Sequence, residues 1–484
     1  MHSPNKTCVV PSFMIYFKIE IMSHNSNNSP VYIIFIALVI LFAVSLLPLN
    51  KISGGLLKDF SFISDIVNDD ESDEDVSPLN VAELDADIAE MLNNCQHDTI
   101  AKADTLVVAV EDTINIAVAD SIEYTEPVIE DYTPGQSGLS HLKAALSQRN
   151  NRCVRIAFLG DSYIEGDILT QNIREILQDT YGGSGIGYTP IHSETPGFRR
   201  SVKQISSGWN IIDIKETTKT MPLSGLYCKA VENAKSQFKG TSKLRHLDSW
   251  GTTTLLFKAP TATDIKIEIA GQEIDTRHVE GSENVQAIVI NNASDNVKFS
   301  SKSTDMSVFG VYLNDASGIA VDNMPIRGYA GIRHHKISAD LISQMRVYID
   351  YDLIIVEYGI NAISSGVLDY TYYKDALKKD ILKIRECYPN ADILLFGVGD
   401  RGEKRNGQVH TMKALKPMIN AQRQLAKELG ILFWNTQLAM GGDDAIVEWT
   451  KNKDTNKDYI HLSFKGGERL GKIFTEQLIT ALEE

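Results

Sequence analysis

Strand-like and helix-like segments alternate along the second half of the chain, and a long stretch before them breaks this alternation. A strand over residues 154–159 leads through a turn into a helix over 168–181. The alternation resumes with helices at 335–349, 372–387, 412–429 and 464–482 and strands at 353–358, 393–398 and 431–434. Between 195 and 320 the chain shows short apolar–polar alternations separated by Gly, Asn, Asp and Ser turns, which is typical of an antiparallel β-sandwich. The sequence therefore predicts one α/β domain with a parallel sheet, interrupted by an inserted antiparallel β-sandwich.

An uncharged apolar segment of seventeen residues lies near the N-terminus, from 31 to 47. Its length is at the short end of what spans a bilayer as a helix. A cleaved signal peptide is the alternative, but no small-x-small cleavage site follows the segment. We therefore expect an uncleaved transmembrane signal anchor over 31–48, preceded by a cytoplasmic segment over 1–30, with Met22 as an alternative start.

The formal charge of −16 is concentrated in one segment of the chain. Residues 59–134 contain 21 acidic side chains and a single base, Lys102, whereas the rest of the chain is nearly neutral. Self-repulsion keeps such a segment extended, so we expect an acidic flexible tether over 49–138. The neutral remainder gives no support for nucleic-acid binding. The five cysteines form no C-x-x-C pair, which argues against a disulfide framework and a cysteine-ligated zinc site.

These patterns divide the folded part of the chain into three sections. The α/β domain is expected to run over 139–194 and 321–484, with the β-sandwich inserted at 195–320. Two interpretations of the insertion stay open, a carbohydrate-binding role and a scaffold that shapes the neighbouring crevice.

Ser162 lies just beyond the first predicted strand and immediately before a helix. At such a position the carboxyl ends of parallel strands face a crevice, and backbone N–H groups at a helix N-terminus can stabilise a developing anion. These features favour Ser162 as a nucleophile. A helix cap formed by Asp161 or Ser162 explains the Gly-Asp-Ser sequence equally well.

A serine nucleophile needs a general base and usually a third group that orients the base. Two histidines follow an aspartate by three residues: His278 after Asp275, and His461 after Asp458. The first pair lies inside the insertion, whereas the second lies between the last strand and the last helix, at the same edge of the sheet as Ser162. We therefore favour Asp458 and His461. An irregular loop is expected there, because three residues is too short a spacing for strand alternation to aim both side chains at one point.

Two further positions could stabilise an oxyanion. Asn361 follows the strand at 353–358 and can donate a side-chain N–H to a carbonyl oxygen held in the crevice; a turn or cap at the strand end is the alternative. Gly331, or Gly328 three residues earlier, can turn a backbone N–H toward the same point.

Four blocks in this order, Gly160-Asp161-Ser162, Gly331, Gly359-x-Asn361 and Asp458-x-x-His461, resemble those of the SGNH (GDSL-type) hydrolase family. The resemblance implies a three-layer α/β/α, flavodoxin-like domain. It also implies that Ser162 is the nucleophile, His461 its general base and Asp458 the residue that orients the imidazole. Ser162, Gly331 and Asn361 would form the oxyanion hole, with Gly328 as the alternative glycine. The sequence departs from the family pattern at Ala362, where aspartate is common.

Within that family, the inserted β-sandwich makes the chain look most similar to bacterial peptidoglycan O-acetylesterases. The resemblance implies a serine esterase that removes acetyl groups from an envelope or extracellular glycan without a cofactor or a metal. Membrane anchoring through 31–48 would place its catalytic domain on the periplasmic side of a bacterial inner membrane. Two alternatives stay open: an O-acetyltransferase with the same residues, supplied by an integral-membrane acyl donor, and a catalytically silent glycan-binding protein.

Overall fold

A computed structural model describes residues 126–215 and 221–484. Within this part of the chain the strands form a six-stranded sheet, a nine-stranded sheet and a two-stranded hairpin. The strands are β1 (Ile129–Asp131), β2 (Cys153–Gly160), β3 (Gly187–Thr189), β4 (Lys203–Asp213), β5 (Leu226–Lys239), β6 (Thr252–Ala259), β7 (Thr263–Ile269), β8 (Gln272–Val279), β9 (Ser282–Ile290), β10 (Asn296–Ser301), β11 (Ser307–Asn314), β12 (Gly318–Pro325), β13 (Leu353–Glu357), β14 (Asp392–Phe396), β15 (Gly402–Arg405), β16 (Gln408–Thr411) and β17 (Leu432–Trp434). The α-helices are α1 (Ser140–Ser147), α2 (Thr170–Tyr181), α3 (Ala339–Arg346), α4 (Thr371–Cys387), α5 (Leu415–Leu429), α6 (Thr436–Met440), α7 (Ala445–Lys451) and α8 (Phe464–Glu483).

The six-stranded sheet has the order β1-β17-β14-β13-β2-β12 and is parallel except for the edge strand β1. Its central strands β13 and β14 are buried along their whole length, as expected for parallel strands that are covered on both faces. Gly160 at the end of β2 is in register with both Pro325 and Glu357. The three strands therefore end at one edge of the sheet, and the loops that follow them start side by side.

Helices cover both faces of this sheet, so this part of the chain has three layers. One core joins the sheet to α3, α4 and α5, and the other joins it to α1, α2 and α8. In the second core the Phe396 ring lies 4.6 Å from Trp434 and 5.2 Å from Phe474, centroid to centroid. Tilted and edge-to-face contacts of this kind add about 0.5–1.5 kcal/mol each beyond the area they bury.

The insertion is antiparallel, as predicted, but its strands form one continuous sheet rather than two separate ones. The main path is β8-β7-β10-β5-β11-β6-β9, with β4 beside β5 and β3 beside β11. Strand β5 is fourteen residues long, and it pairs with β11 near its start and with β10 near its end. The strand thereby joins the two halves of the sheet around one core, which includes Phe238, Phe257 and Phe299.

The hairpin β15–β16 and the short helices α6 and α7 were not predicted, and three strands of the two larger sheets differ from the prediction. Strand β1, placed by the sequence in the tether, pairs with β17. Strand β3, placed in the α/β domain, pairs with β11 of the antiparallel sheet. Strand β12 was missed, although it pairs with β2 over its whole length. The predicted anchor at 31–48 and most of the tether lie outside the described residues, and no helix within the described ranges is long and apolar enough to cross a membrane.

Candidate active site

The loops after β2, β12 and β13 and the segment before α8 bring most of the predicted site residues to one edge of the sheet. The Ser162 hydroxyl lies 3.0 Å from His461 Nε2, although 299 residues separate the two in sequence. His461 Nδ1 lies 2.7 Å from Asp458 Oδ2. Serine, histidine and aspartate are thus linked in series, as a nucleophile, its base and the orienter of that base require.

The Asp458 carboxylate fixes both the tautomer and the direction of the imidazole. When Nδ1 carries the proton and donates to Asp458, Nε2 is left as the acceptor for the Ser162 O–H. Burial alone would raise the Asp458 pKa, but hydrogen bonds from the His461 side chain and from the backbone N–H groups of His461 and Ile460 keep it below its usual range. The carboxylate therefore stays charged at neutral pH and can stabilise an imidazolium.

The segment that carries Asp458 and His461 is the irregular loop that their spacing requires. Tyr459 between them has a positive φ of 56°, and its carbonyl accepts the Gly402 N–H at 2.9 Å. The Asn456 N–H donates to the His461 carbonyl at 2.8 Å. Backbone bonds on both sides thus hold the loop in the conformation that points both side chains the same way.

The predicted oxyanion donors lie on the neighbouring loops. Within the described part of the chain, the backbone N–H groups of Ser162 and Gly331 donate to no other group, which leaves both available to a ligand. The Asn361 side-chain nitrogen donates to Asp161 Oδ2 at 2.8 Å and to the Tyr329 carbonyl at 3.2 Å. Donation from Asn361 to a substrate would therefore replace the longer of these two bonds.

The two candidate glycines differ in their surroundings. Gly331 has φ +77° and is buried, and a Cβ at this position would overlap the Tyr358 ring. Gly328 has φ +70°, but a Cβ there would meet nothing within 4 Å. The structure thus requires glycine at 331 for space as well as for backbone conformation.

A buried carboxyl pair beside the turn that carries Ser162 was not predicted from the sequence. Asp161 and Glu357 are 0% and 1% exposed, and Glu357 Oε2 accepts the Asp161 backbone N–H at 3.3 Å. Burial raises the pKa of both carboxyls, and the Asp161 charge raises the pKa of Glu357 further. Asp161 accepts bonds from the Tyr163 N–H and from Asn361, so we assign the negative charge to Asp161 and the proton to Glu357. The sequence feature that could have indicated this pair is the glutamate that ends the otherwise apolar strand LIIVE.

The other Asp-x-x-His pair is not assembled. His278 Nδ1 bonds to Asp264 on the neighbouring strand at 2.8 Å, whereas Asp275 pairs with Arg277. The His278 side chain is 62% exposed on β8, at the edge of the antiparallel sheet. No group of three or more His, Cys, Asp or Glu side chains that could hold a metal ion occurs within residues 126–215 and 221–484.

A cavity of about 330 Å³ opens beside Glu165 and Gly166, which follow Ser162 by three and four residues. Its wall combines residues that follow β2 and β12 with residues of the antiparallel sheet, among them Glu165, Gly166, Pro190, Gln204, Pro325 and Ile326. A ligand in this cavity would contact both parts of the chain.

The chain shares its fold with a solved structure of a peptidoglycan O-acetylesterase. That match has a TM-score of 0.61 at 22% sequence identity and covers 73% of this chain and 99% of the other. Two family two carbohydrate esterases match with lower scores. The enzyme from Cellvibrio japonicus has a TM-score of 0.25 at 10% identity, with 58% and 98% coverage. An active-site mutant from Clostridium thermocellum has a TM-score of 0.24 at 12% identity, with 56% and 98% coverage.

No protein-family model and no curated protein matches the sequence. The likeness to the O-acetylesterase structure concerns the fold. At that level it supports the predicted α/β fold with a parallel sheet and antiparallel strands.

Proposed function

We propose that this chain is a serine esterase that hydrolyses acetyl esters on a glycan through an acyl-serine intermediate. The observation that carries the proposal is the hydrogen-bonded series from Ser162 through His461 to Asp458, with distances of 3.0 and 2.7 Å. The shared fold with a peptidoglycan O-acetylesterase supports it. The cavity beside Glu165 and Gly166, three and four residues after Ser162, offers room for a part of the glycan.

In the first half of the reaction, Ser162 Oγ attacks the acetyl carbonyl carbon while His461 Nε2 takes the hydroxyl proton. The new C–O bond pushes an electron pair onto the carbonyl oxygen, and the N–H groups of Ser162, Gly331 and Asn361 stabilise this oxyanion. The oxyanion then collapses, and the bond to the sugar oxygen breaks. The imidazolium returns its proton to that oxygen, so the sugar leaves as an alcohol and the acetyl group stays on Ser162.

In the second half, His461 removes a proton from a water molecule, and the resulting hydroxide attacks the acetyl-serine. The ester bond to Ser162 breaks, the serine oxygen regains its proton from His461, and the product leaves as acetic acid, which loses its proton to the solvent to give acetate. Asp458 keeps its negative charge throughout and stabilises the imidazolium in both halves. An O-acetyltransferase would differ only in this step, because a sugar hydroxyl would take the place of water.

We further propose that the acetylated glycan belongs to the cell envelope. The apolar segment at 31–47 and the acidic tether support an enzyme that is anchored in the membrane and acts on the periplasmic side. In this arrangement the tether holds the catalytic part at a distance from the bilayer. The antiparallel sheet forms one wall of the cavity and would contact the glycan there.

The decisive experiment measures acetate release by the full-length protein from 4-nitrophenyl acetate and from O-acetylated peptidoglycan, with and without a soluble chito-oligosaccharide acceptor. Ser162→Ala removes the nucleophile, and Ser343→Ala, an exposed serine on α3, is the matched control. The esterase predicts free acetate that Ser162→Ala abolishes and Ser343→Ala leaves intact. Acetylated acceptor formed at the expense of acetate would indicate a transferase, and no serine-dependent turnover would indicate a glycan-binding protein.

A further inference from the structure

Three side chains form a ledge beside the candidate active site: the exposed Phe198 and Arg200 from the segment between β3 and β4, and the half-buried Phe464 at the start of α8. The Phe198 and Phe464 rings lie 5.8 Å apart, centroid to centroid, at an angle of 53°. The Arg200 guanidinium carbon lies 3.4 Å from the Phe464 ring centroid. We call this group the Phe198 ledge. It is not used by the proposed chemistry.

The ledge connects the two loops that carry the reacting groups. Phe198 packs on Gly166, four residues after Ser162, and a Cβ at that glycine would overlap the Phe198 ring. Phe464 follows His461 by three residues, so their Cα atoms lie within about 11 Å of each other. A single oligosaccharide can therefore contact the ledge while its ester lies at Ser162.

Phe198 presents an aromatic surface to solvent at this position. Its side chain is 45% exposed, although phenylalanine is usually buried in a folded protein. Its contacts with Phe464 and with the backbone at Gly166 hold the ring in place. A rigid, exposed ring loses little conformational entropy when the apolar face of a sugar packs against it.

Arg200 supplies an unpaired positive charge. Within the described ranges its guanidinium has no hydrogen-bond acceptor and no carboxylate partner, and its fixed contact is the Phe464 ring. The adjacent Arg199 is different, because it donates to Asp167, Ser201 and the Tyr188 carbonyl. A guanidinium that stacks through its face keeps the N–H donors at its edge, and their geometry matches a carboxylate.

From these observations we infer that the Phe198 ledge is a substrate subsite for a sugar that bears a carboxylate. The sugar ring packs on Phe198, and its carboxylate accepts hydrogen bonds from Arg200. The acetyl ester that reacts at Ser162 is on the same oligosaccharide. This inference depends on the proposed esterase function and adds to it a preference for acidic over neutral glycans.

The test compares two substrates that differ only in the carboxylate: an O-acetylated oligosaccharide containing uronic acid residues, and the same oligosaccharide after reduction of its carboxyl groups to alcohols. For the full-length protein we expect a higher kcat/KM for the acidic substrate. Arg200→Gln should lower the ratio of the two kcat/KM values about tenfold, the effect of losing one charge-assisted hydrogen bond. Raising the NaCl concentration to 1 M should move the wild-type ratio toward that of the variant.

Two further variants separate the parts of the ledge. Phe198→Ala should raise KM for both oligosaccharides, because each has a sugar face to pack. Arg277→Gln is the matched control for the loss of one exposed arginine, since Arg277 lies on β8 in the antiparallel sheet and pairs with Asp275. It should leave the ratio unchanged. Equal ratios in wild type and Arg200→Gln, or an equal fall in Arg277→Gln, would overturn the inference.

Binding measurements keep this inference distinct from the esterase proposal. In Ser162→Ala protein, isothermal titration calorimetry with the two oligosaccharides should show tighter binding of the acidic one, and adding Arg200→Gln should remove the difference. If wild type does not release acetate but this binding preference is present, the esterase proposal fails and the subsite stands. If acetate is released without any preference, in turnover or in binding, the subsite is refuted and the esterase stands.

Discussion

Substituting alanine at Gly331 and at Gly328 should have unequal effects on stability and on activity. Both residues have positive φ, which costs a residue with a Cβ about 1–2 kcal/mol. At Gly331 the added Cβ also overlaps the buried Tyr358 ring, and overpacking of this kind costs about 1–3 kcal/mol more. We therefore expect Gly331→Ala to lower the free energy of unfolding by about 2–5 kcal/mol and Gly328→Ala by about 1–2 kcal/mol.

The activity effect follows from the same geometry. Relief of the overlap moves the 331 backbone away from Tyr358 and so changes the direction of the N–H that we propose as an oxyanion donor. Loss of one oxyanion donor typically lowers kcat by about 10²–10³. We expect a fall of this size for Gly331→Ala and a change of less than about threefold for Gly328→Ala.

The assay combines initial rates on 4-nitrophenyl acetate with urea unfolding followed by tryptophan fluorescence, both at a temperature where each variant is folded. A large loss of kcat in Gly328→Ala with near-normal kcat in Gly331→Ala would assign the donor to Gly328. Normal kcat in both variants would refute a glycine donor altogether. Equal stabilities of the two variants would refute the argument from the Tyr358 overlap.

Three other outcomes can be checked with the same protein. Asp458→Asn should lower kcat by about 10²–10⁴ yet leave a measurable rate, because the His461 imidazole loses the group that orients it but is still present. As a control, His278→Ala should leave kcat unchanged. Burial raises the pKa of Asp392 to about 6, so its folded form favours the proton. The contribution of this carboxyl to the free energy of unfolding is therefore complete below about pH 4 and is lost as the pH rises through 6. In urea titrations, the free energy of unfolding of wild type should fall by about 2–3 kcal/mol relative to that of Asp392→Asn between pH 4 and pH 7. A fragment that starts at residue 135 should be less stable by about 1.5–3 kcal/mol than one that starts at 126, because it lacks β1 and the charged hydrogen bonds from Arg423 to Glu130 at 2.8 and 2.9 Å. Equal unfolding midpoints would contradict this.

The parallel sheet could be predicted where its strands are continuous apolar runs, and it was missed where they are not. Strands β13 and β14 were predicted because burial on both faces leaves no polar positions to obscure them. Strand β12 contains the buried polar residues Asp322 and Asn323, which read as a turn. Strand β1 reads as part of the acidic tether, since Glu130 is stabilised by an arginine 293 residues away.

The residues of the candidate site and of the Phe198 ledge divide in the same way. Ser162, Asn361, Asp458 and His461 could be named in advance because strand ends and helix starts limit where chemistry can occur in an α/β fold. The neutral carboxyl of Glu357 and the stacked guanidinium of Arg200 could not be predicted from the sequence. The role of each depends on a neighbour from a distant part of the chain, Asp161 for Glu357 and Phe464 for Arg200.

The two Asp-x-x-His pairs show what the sequence predicts about a catalytic pair and what the tertiary structure adds. The two pairs have the same residues at the same spacing, and only their places along the chain favour Asp458 and His461 over Asp275 and His278. His278 lies in a strand, where residues three apart point to opposite faces, so it pairs across the sheet with Asp264 instead of Asp275. His461 lies in an irregular loop that aims it and Asp458 at one point, and the register of the parallel sheet places Ser162 there. The sequence by itself indicated the candidate base and orienter, because an α/β fold limits where such side chains can lie. The long-range packing of the chain decided the contacts that join them to Ser162.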